Sequence, residues 1–213
     1  MIVENTNETL YFDYHNGEGK TNVLDSIYFL SLTKSMASSI DSQNVRHGEE
    51  MMMVQGIYDL NGVEEEISIG MRLHQKKHVK RNKKEYRKLT EHIGLLPLII
   101  ASPNDSFIIS GGSEDRRRLM DIVISQYDAE YMAALSAYNK ALQQRNAMLK
   151  AEEELNVEII SVFEEMMAET GECVYKKRKE FIEEFIPVFQ LFYQQISHPV
   201  IKSSSDDTFS GEA

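Results

Sequence analysis

The first 121 residues alternate short apolar runs with turn signals. LYF, IYFLSL, MVQGIYDL, EISIGMRL, LLPLII and FIIS are separated by NG, DLNG, SPND and SGGS, a texture that predicts a mixed α/β or α+β domain. In VQGIYDLNGVEEEISIGMRL the pair Asn61-Gly62 stands between two alternating runs. Both residues tolerate positive φ, so the pair predicts a two-residue β-hairpin turn. From about residue 122 the period changes. Tyr131, Leu135, Tyr138, Leu142 and Leu149 recur at steps of four and three, with Arg145 in the remaining slot. Leu155, Ile159, Val162 and Met166 continue the rule, and Ile182, Ile186, Phe189, Tyr193 and Ile196 repeat it around Pro187. This spacing predicts two or three long helices, either coiled-coil-like or a plain bundle, with a kink at the proline. The chain is therefore expected to divide into a mixed region 1–121, an all-α region 122–199 and a polar, disordered tail 200–213.

A chain of 213 residues is long enough to bury a core without staples. The single cysteine, Cys173, excludes an internal disulfide framework and fits a reducing compartment. The sequence has no apolar run long enough to span a bilayer, and MIVENTNETLYF lacks the basic start and apolar stretch of a secretion signal. A soluble, cytoplasmic protein without membrane contact is the expectation.

The net charge of −11 argues against nonspecific attraction to a polyanion. The distribution changes that picture. Residues 72–88, RLHQKKHVKRNKKEYRK, hold nine of the 23 Lys and Arg, opposed only by Glu85. Lys76, Lys77, Lys80, Arg81, Lys83 and Lys84 are candidate contacts to DNA phosphates, with His74, His78 and Tyr86 placed to stack on bases. A solvated, highly charged hairpin accounts for the same residues. His74 and His78 are four apart with no acid or cysteine ligand in reach by sequence, which reads as surface histidines and not as a metal site. Arg116, Arg117 and Arg118 follow SGGSED, a helix start with Ser113 as N-cap and acids in the first turn. These arginines either pair with those acids or Asp121, or contact nucleotide, DNA or a partner.

YHNGEGKTN, residues 14–22, carries the chemistry most worth testing. In a phosphate loop, small residues let backbone N–H groups converge on phosphate oxygens, a lysine reaches the outer phosphates, and a hydroxyl binds Mg²⁺. Gly17, Gly19, Lys20 and Thr21 fit this pattern. Apolar residues at 23, 24, 27, 28 and 30 suit a helix starting at the loop, and LYF before it suits a strand. Tyr14 departs from the pattern, because it stands where glycine normally makes the sharp exit from the strand. Either its ring points outward or the site is weakened.

Several stretches together resemble the RecF family of recombination mediator proteins, ABC-type ATPase heads of the structural-maintenance kind. HNGEGKTNVLDSIYFLSLTKS is similar to the family's phosphate loop and leucine-rich helix, with Asn16, Asn22 and Asp25 matching beyond the generic motif. PNDSFIISGGSEDRRRLMD, residues 103–121, matches the family's diagnostic segment at Pro103, Ile108, Ile109, Gly111, Arg116, Arg117 and Asp121, and departs from it at Asn104, Ser113 and Leu119. ISQYDAEYMAALSAYNKALQQRNAMLK resembles the family's first arm helix. The family's extra first strand, ABC signature, paired acids and switch histidine have no counterpart here, so the resemblance is to a partial member.

The resemblance implies a P-loop ABC-ATPase-like head portion followed by a coiled-coil-like arm. It implies ATP held by His15, Asn16, Gly17, Glu18, Gly19, Lys20, Thr21 and Asn22, with Thr21 on Mg²⁺. It also implies an ATP-dependent homodimer that clamps single-stranded, gapped or duplex DNA, and recombinase loading in recombinational repair together with RecO- and RecR-type mediators. Without the paired acids, this chain alone is not expected to turn over ATP. The rival reading is a noncatalytic remnant that binds DNA or a partner through the basic hairpin and the helical arm.

Overall fold

The computed structural model describes residues 19–38, 40–151 and 156–197. The candidate strand LYF, residues 14–18 of the phosphate loop and the polar tail lie outside the described residues. The chain divides into two compact units, Met1–Ala129 and Glu130–Ala213. The expected change of character at residue 121 instead falls inside a helix that runs on to Tyr127.

The first unit is built on an antiparallel meander. Strands β1 (Met51–Leu60), β2 (Val63–Arg72), β3 (His78–Arg81) and β4 (Lys84–Glu85) pair in sequence order. Leu60 pairs with Val63 across Asn61 and Gly62, whose φ values of 58° and 81° are those of the primed turn that matches strand twist. A second turn of the same kind lies at Asn82 and Lys83, with φ of 50° and 66°. No glycine relieves it. Asn82 is fixed instead by its amide, which donates to Glu65 at 2.7 Å, and by its side-chain oxygen, which accepts from the N–H of Glu66 at 2.9 Å.

Strand alternation gives the sheet two faces. Val54, Ile67, Ile69 and Val79 point inward and are covered by Phe29 and Leu30 of helix α1 (Lys20–Leu32) and by Leu96. Along β1 the positions alternate between exposed and half-buried, and Met51, Met53 and Ile57 are on the outer face. The IYFLSL run is thus the buried half of α1, whereas FIIS is the short helix α2 (Phe107–Ser110) and LLPLII forms no regular element.

The C-terminal end of α1 carries carbonyls that the helix itself leaves unpaired, and side chains from distant segments satisfy them. His92, fully buried, approaches the Leu30 carbonyl at 2.6 Å, so its Nε2 must carry the proton and donate it. Lys77 donates to the Thr33 carbonyl at 2.5 Å. Ser31 Oγ donates to the Leu96 carbonyl at 2.5 Å, and Asp25 accepts from Ser35 Oγ and the Met36 N–H, each at 2.7 Å.

Helix α3 (Ser113–Tyr127) begins one residue before the expected start. Gly112 occupies the N-cap position and Ser113 is already helical, because Gly112 is in the extended conformation that a cap requires. Glu114 and Asp115 lie in the first turn as expected. The far end of α3 is clamped by Gln126, which accepts from the Leu98 N–H at 2.7 Å and donates to the Leu98 carbonyl at 3.1 Å. Gly94 sits against the same turn. It adopts φ of 92°, and a Cβ there would come within 2.1 Å of the Gln126 carbonyl oxygen.

The second unit pairs α4 (Ala129–Lys150) with α5 (Val157–Ser197). The helices run antiparallel, for the contacts reverse in order. Lys177 meets Glu130 at 3.5 Å, Arg178 Nε donates to Tyr131 Oη at 3.0 Å, Gly171 lies under the Tyr138 ring, and Arg145 bonds Glu164 at 2.9 Å. Tyr131, Tyr138 and Arg145 are a heptad apart, as are Arg178, Gly171 and Glu164, which is the seam spacing of a two-helix coiled coil. Arg145, the polar residue in the α4 stripe, is therefore an interhelical ion pair. On α5 the seam is Ile160, Phe163, Met167 and Val174. Ile159, Val162 and Met166, the stripe expected from spacing, are 46%, 55% and 41% exposed. The register is one residue on from the expected one, and it brings Gly171 against the Tyr138 ring, where a Cβ would come within 3.2 Å of the ring edge. The second and third apolar blocks also belong to one helix of 41 residues, with Pro187 inside it. Asn156 caps its start by accepting from the Ile159 N–H at 3.1 Å.

Two predictions concern the first unit. Gly94→Ala combines a disfavoured φ with a backbone clash, and is expected to lower stability by about 2 kcal/mol or more in urea unfolding. The second concerns pH. Burial holds the His92 imidazole below its ordinary value of 6.5; the bond to Leu30 opposes this and Arg81 adds to it. The unfolded chain therefore binds the proton first, and stability should be full above about pH 6.5 and fall as pH drops below it. His92→Gln, which keeps a donor for Leu30 but cannot ionise, should flatten that slope in denaturation curves recorded at several pH values.

Candidate functional site

Within the described part of the phosphate loop, Gly19 is the N-cap of α1 and Lys20, Thr21 and Asn22 form its first turn. Gly19 has φ of 89°, a left-handed conformation that L side chains rarely adopt. This glycine leads into the first turn of α1 and its N–H groups. These donors have no carbonyl partner within the helix, and no acid lies in the first turn to compete for them. Thr21 and Asn22 are exposed. The arrangement suits an anion with several oxygens. His15, Asn16, Gly17 and Glu18 lie outside the described residues, as does Tyr14. Asp25 faces the other way and ties the segment after α1 back to the helix.

The basic island folds as the end of β2, the turn after it, β3 and β4, and the fold sorts its cations. Lys77 turns inward. Its ammonium lies 2.8 Å from an Asp41 carboxylate oxygen and 5.6 Å from the Phe29 ring centroid, and its side chain is 12% exposed. Arg81 grips buried Glu65 with two donors, Nε at 2.8 Å and Nη2 at 2.5 Å. The Arg81 hydrogen bond is the main reason the Glu65 carboxyl is held below its ordinary range. Lys76, Lys80, Lys83 and Lys84 are exposed, and Lys83 rides the tip of the strained turn.

Sequence reasoning did not single out Arg72. It shares the outer face of the sheet with His78 and Lys80, around a shallow depression of about 250 Å³ whose floor includes Met51, Met53 and Gly70. Its signal was the alternation of β2, which places residues 68, 70 and 72 on one face. Of the residues proposed for stacking, Tyr86 packs against the core with its ring edge-on to His92 at 5.3 Å. His78 holds Glu85 at 2.6 Å. Arg116 donates to the carbonyls of Ile108 at 3.3 Å and Gly111 at 3.2 Å, closing the turn between α2 and α3. No helix among the described residues is long and apolar enough to cross a membrane.

No family model matches the chain. Curated relatives do. The chain is 56% identical over 183 residues to the DNA replication and repair protein RecF of Bacteroides fragilis, a match covering 85% of this chain and 50% of that protein. Against the RecF protein of Phocaeicola vulgatus the identity is 57% over 183 residues, covering 85% and 49%. A solved structure described as the recombination mediator protein RecF-ATP in the RecFOR pathway superposes with a TM-score of 0.78 at 32% identity, covering 85% of this chain and 50% of that one. The chain spans about half the length of the curated relatives it matches. The described fold is that of an ABC-ATPase head portion followed by an all-α arm. Over the residues it shares with these proteins, the chain belongs to the RecF family of DNA replication and repair proteins.

Proposed function

We propose that the chain is the phosphate-loop portion of an ATP-binding recombination mediator, and that it contacts DNA through the exposed lysines of its basic hairpin. The observation that carries the reading is the Gly-Lys-Thr helix start with Gly19 in the left-handed conformation, in a chain 32% identical to the protein of a RecF-ATP structure. The N–H groups of the first turn and the Lys20 ammonium would hold the outer phosphates, with His15, Asn16, Gly17 and Glu18 completing the loop. Thr21, exposed on the first turn, supplies the hydroxyl for Mg²⁺. Bound ATP would contribute its charge and its interface to a second head, making an ATP-dependent homodimer. This chain's residues bind and orient it.

Lys76, Lys80, Lys83 and Lys84 supply a cluster of exposed positive charge for DNA phosphates, single-stranded, gapped or duplex. Arg72 extends it across the outer face. Lys77 and Arg81 support that surface from beneath, through Asp41 and Glu65. Association with RecO- and RecR-type mediators in recombinase loading follows from the family. The same exposed lysines also serve the rival reading, a remnant that binds DNA without nucleotide, and ATP dependence separates the two.

Isothermal calorimetry with Mg·ATP is expected to show uptake at submillimolar to millimolar ligand, lost in Lys20→Ala. No uptake by folded chain would remove the nucleotide reading and leave the remnant. Replacing Lys76, Lys80, Lys83 and Lys84 by glutamate is expected to abolish measurable DNA affinity. Replacing them singly by alanine should lower the slope of log affinity against log salt by about 0.9 for each phosphate of duplex DNA that is no longer neutralised. An unchanged slope would exclude them as DNA-binding residues.

A further inference from the structure

Gly70 stands inside β2, where a missing side chain weakens a strand. Neither the backbone nor the packing demands it. Its φ is not positive, and a Cβ built there meets nothing within 4 Å. Gly56 on β1 is different, for a Cβ there would come within 2.8 Å of the Tyr58 ring. What Gly70 leaves is space on the outer face of the sheet. Met53, Gly70 and His78 lie in one row across β1, β2 and β3, with Met51 paired to Arg72 in the next row on one side and Ser68 paired to Lys80 on the other. Together they surround the depression of about 250 Å³.

The lining combines two chemistries. Met51 and Met53 are 53% and 61% exposed, and Arg72, His78 and Lys80 are exposed beside them. Phosphate contact alone has no use for two thioethers. An unpaired nucleotide uses both kinds of group, because its base offers a π-face to sulfur and imidazole while its phosphate meets the cations. Glu85, 2.6 Å from His78 Nδ1, orients the imidazole. Charge limits how much nucleic acid the face can take. Farther along the same face Ile57 pairs with Glu66 and Asp59 with Glu64, so the surface turns acidic about 13 Å from Gly70. A duplex running the length of the sheet would set its phosphates against these carboxylates, whereas a single nucleotide fits the positive end. We propose, resting on the DNA-binding reading above, that the depression over Gly70 holds one unpaired nucleobase between the Met53 thioether and the His78 ring, with the adjoining phosphates on Arg72 and Lys80.

The test is fluorescence anisotropy on the whole chain with three labelled probes: a poly-dT strand, an abasic strand of the same length and a duplex. Gly70→Val suits a strand, meets no neighbouring atom and fills the depression. It is expected to weaken poly-dT binding about tenfold and to leave the abasic strand and the duplex unchanged. Met53→Thr, which removes the thioether, should act in the same direction. Selective loss of poly-dT in either variant upholds the proposal. Its absence in both overturns it, whether all three probes are lost or none. Replacing Lys76, Lys80, Lys83 and Lys84 by glutamate should weaken all three probes. If it does so while neither variant is selective, the DNA reading stands and the base site falls; if the parent chain binds no probe, both fall. A changed oligomeric state of Gly70→Val in light scattering, with poly-dT affinity intact, would make the depression a protein contact and also overturn the proposal.

Discussion

Helix α1 has two ends with opposite demands, and the first unit is arranged around that difference. Phe29 and Leu30 pin the C-terminal half to Ile67, Ile69 and Val79 on the inner face of the sheet. Once buried there, carbonyls that the helix leaves open cannot turn to water, and a buried unpaired acceptor costs about 1–3 kcal/mol. His92 and Lys77, from separate segments, supply donors at 2.6 Å and 2.5 Å. The N-terminal end has first-turn N–H groups without a carbonyl partner inside the helix, and Gly19 sets the angle of entry. A helix anchored at its buried end holds those donors in a fixed direction, which is what recognition of a polyanion by backbone requires.

The same anchoring gives the basic segment its order. Strand alternation sends Arg81 to the inner side, where Glu65 meets it, and the turn after β2 sends Lys77 under α1 to Asp41. Lys76, Lys80, Lys83 and Lys84 project outward, Lys83 from a turn that Asn82 holds at positive φ by bonding Glu65 and Glu66. One run of like charge thus does two jobs. Its inward members neutralise acids beneath the surface, and its outward members concentrate positive potential in a protein whose net charge is −11.

The sheet hairpin at Asn61-Gly62, the helix after Gly-Lys-Thr and the long helices were legible because each rests on local chemistry. Positive φ favours Asn and Gly, a phosphate-loop helix opens on a glycine followed by apolar positions at helical spacing, and a seam needs steps of three and four. The start of α3 was misread by one residue, since Gly112 and Ser113 both suit a cap and only the backbone decides between them. The relationship to RecF proteins was legible from motifs spread over most of the chain, which chance rarely supplies together.

By itself the sequence determined the mixed α/β head portion, the helical arm, the Gly-Lys-Thr helix start and the site of concentrated positive charge. Tertiary structure decided which charges face out, because Lys77 and Lys76 are neighbours in sequence and only Asp41 and Phe29, brought up by the fold, distinguish them. It also chose between two apolar stripes on α5. Ile159, Val162 and Met166 satisfy the spacing as well as Ile160, Phe163 and Met167 do, and the choice falls to the helix that packs opposite, where the Tyr138 ring lies against Gly171. Periodicity specifies that a face exists, and complementarity of volume with a partner distant in sequence specifies which one it is.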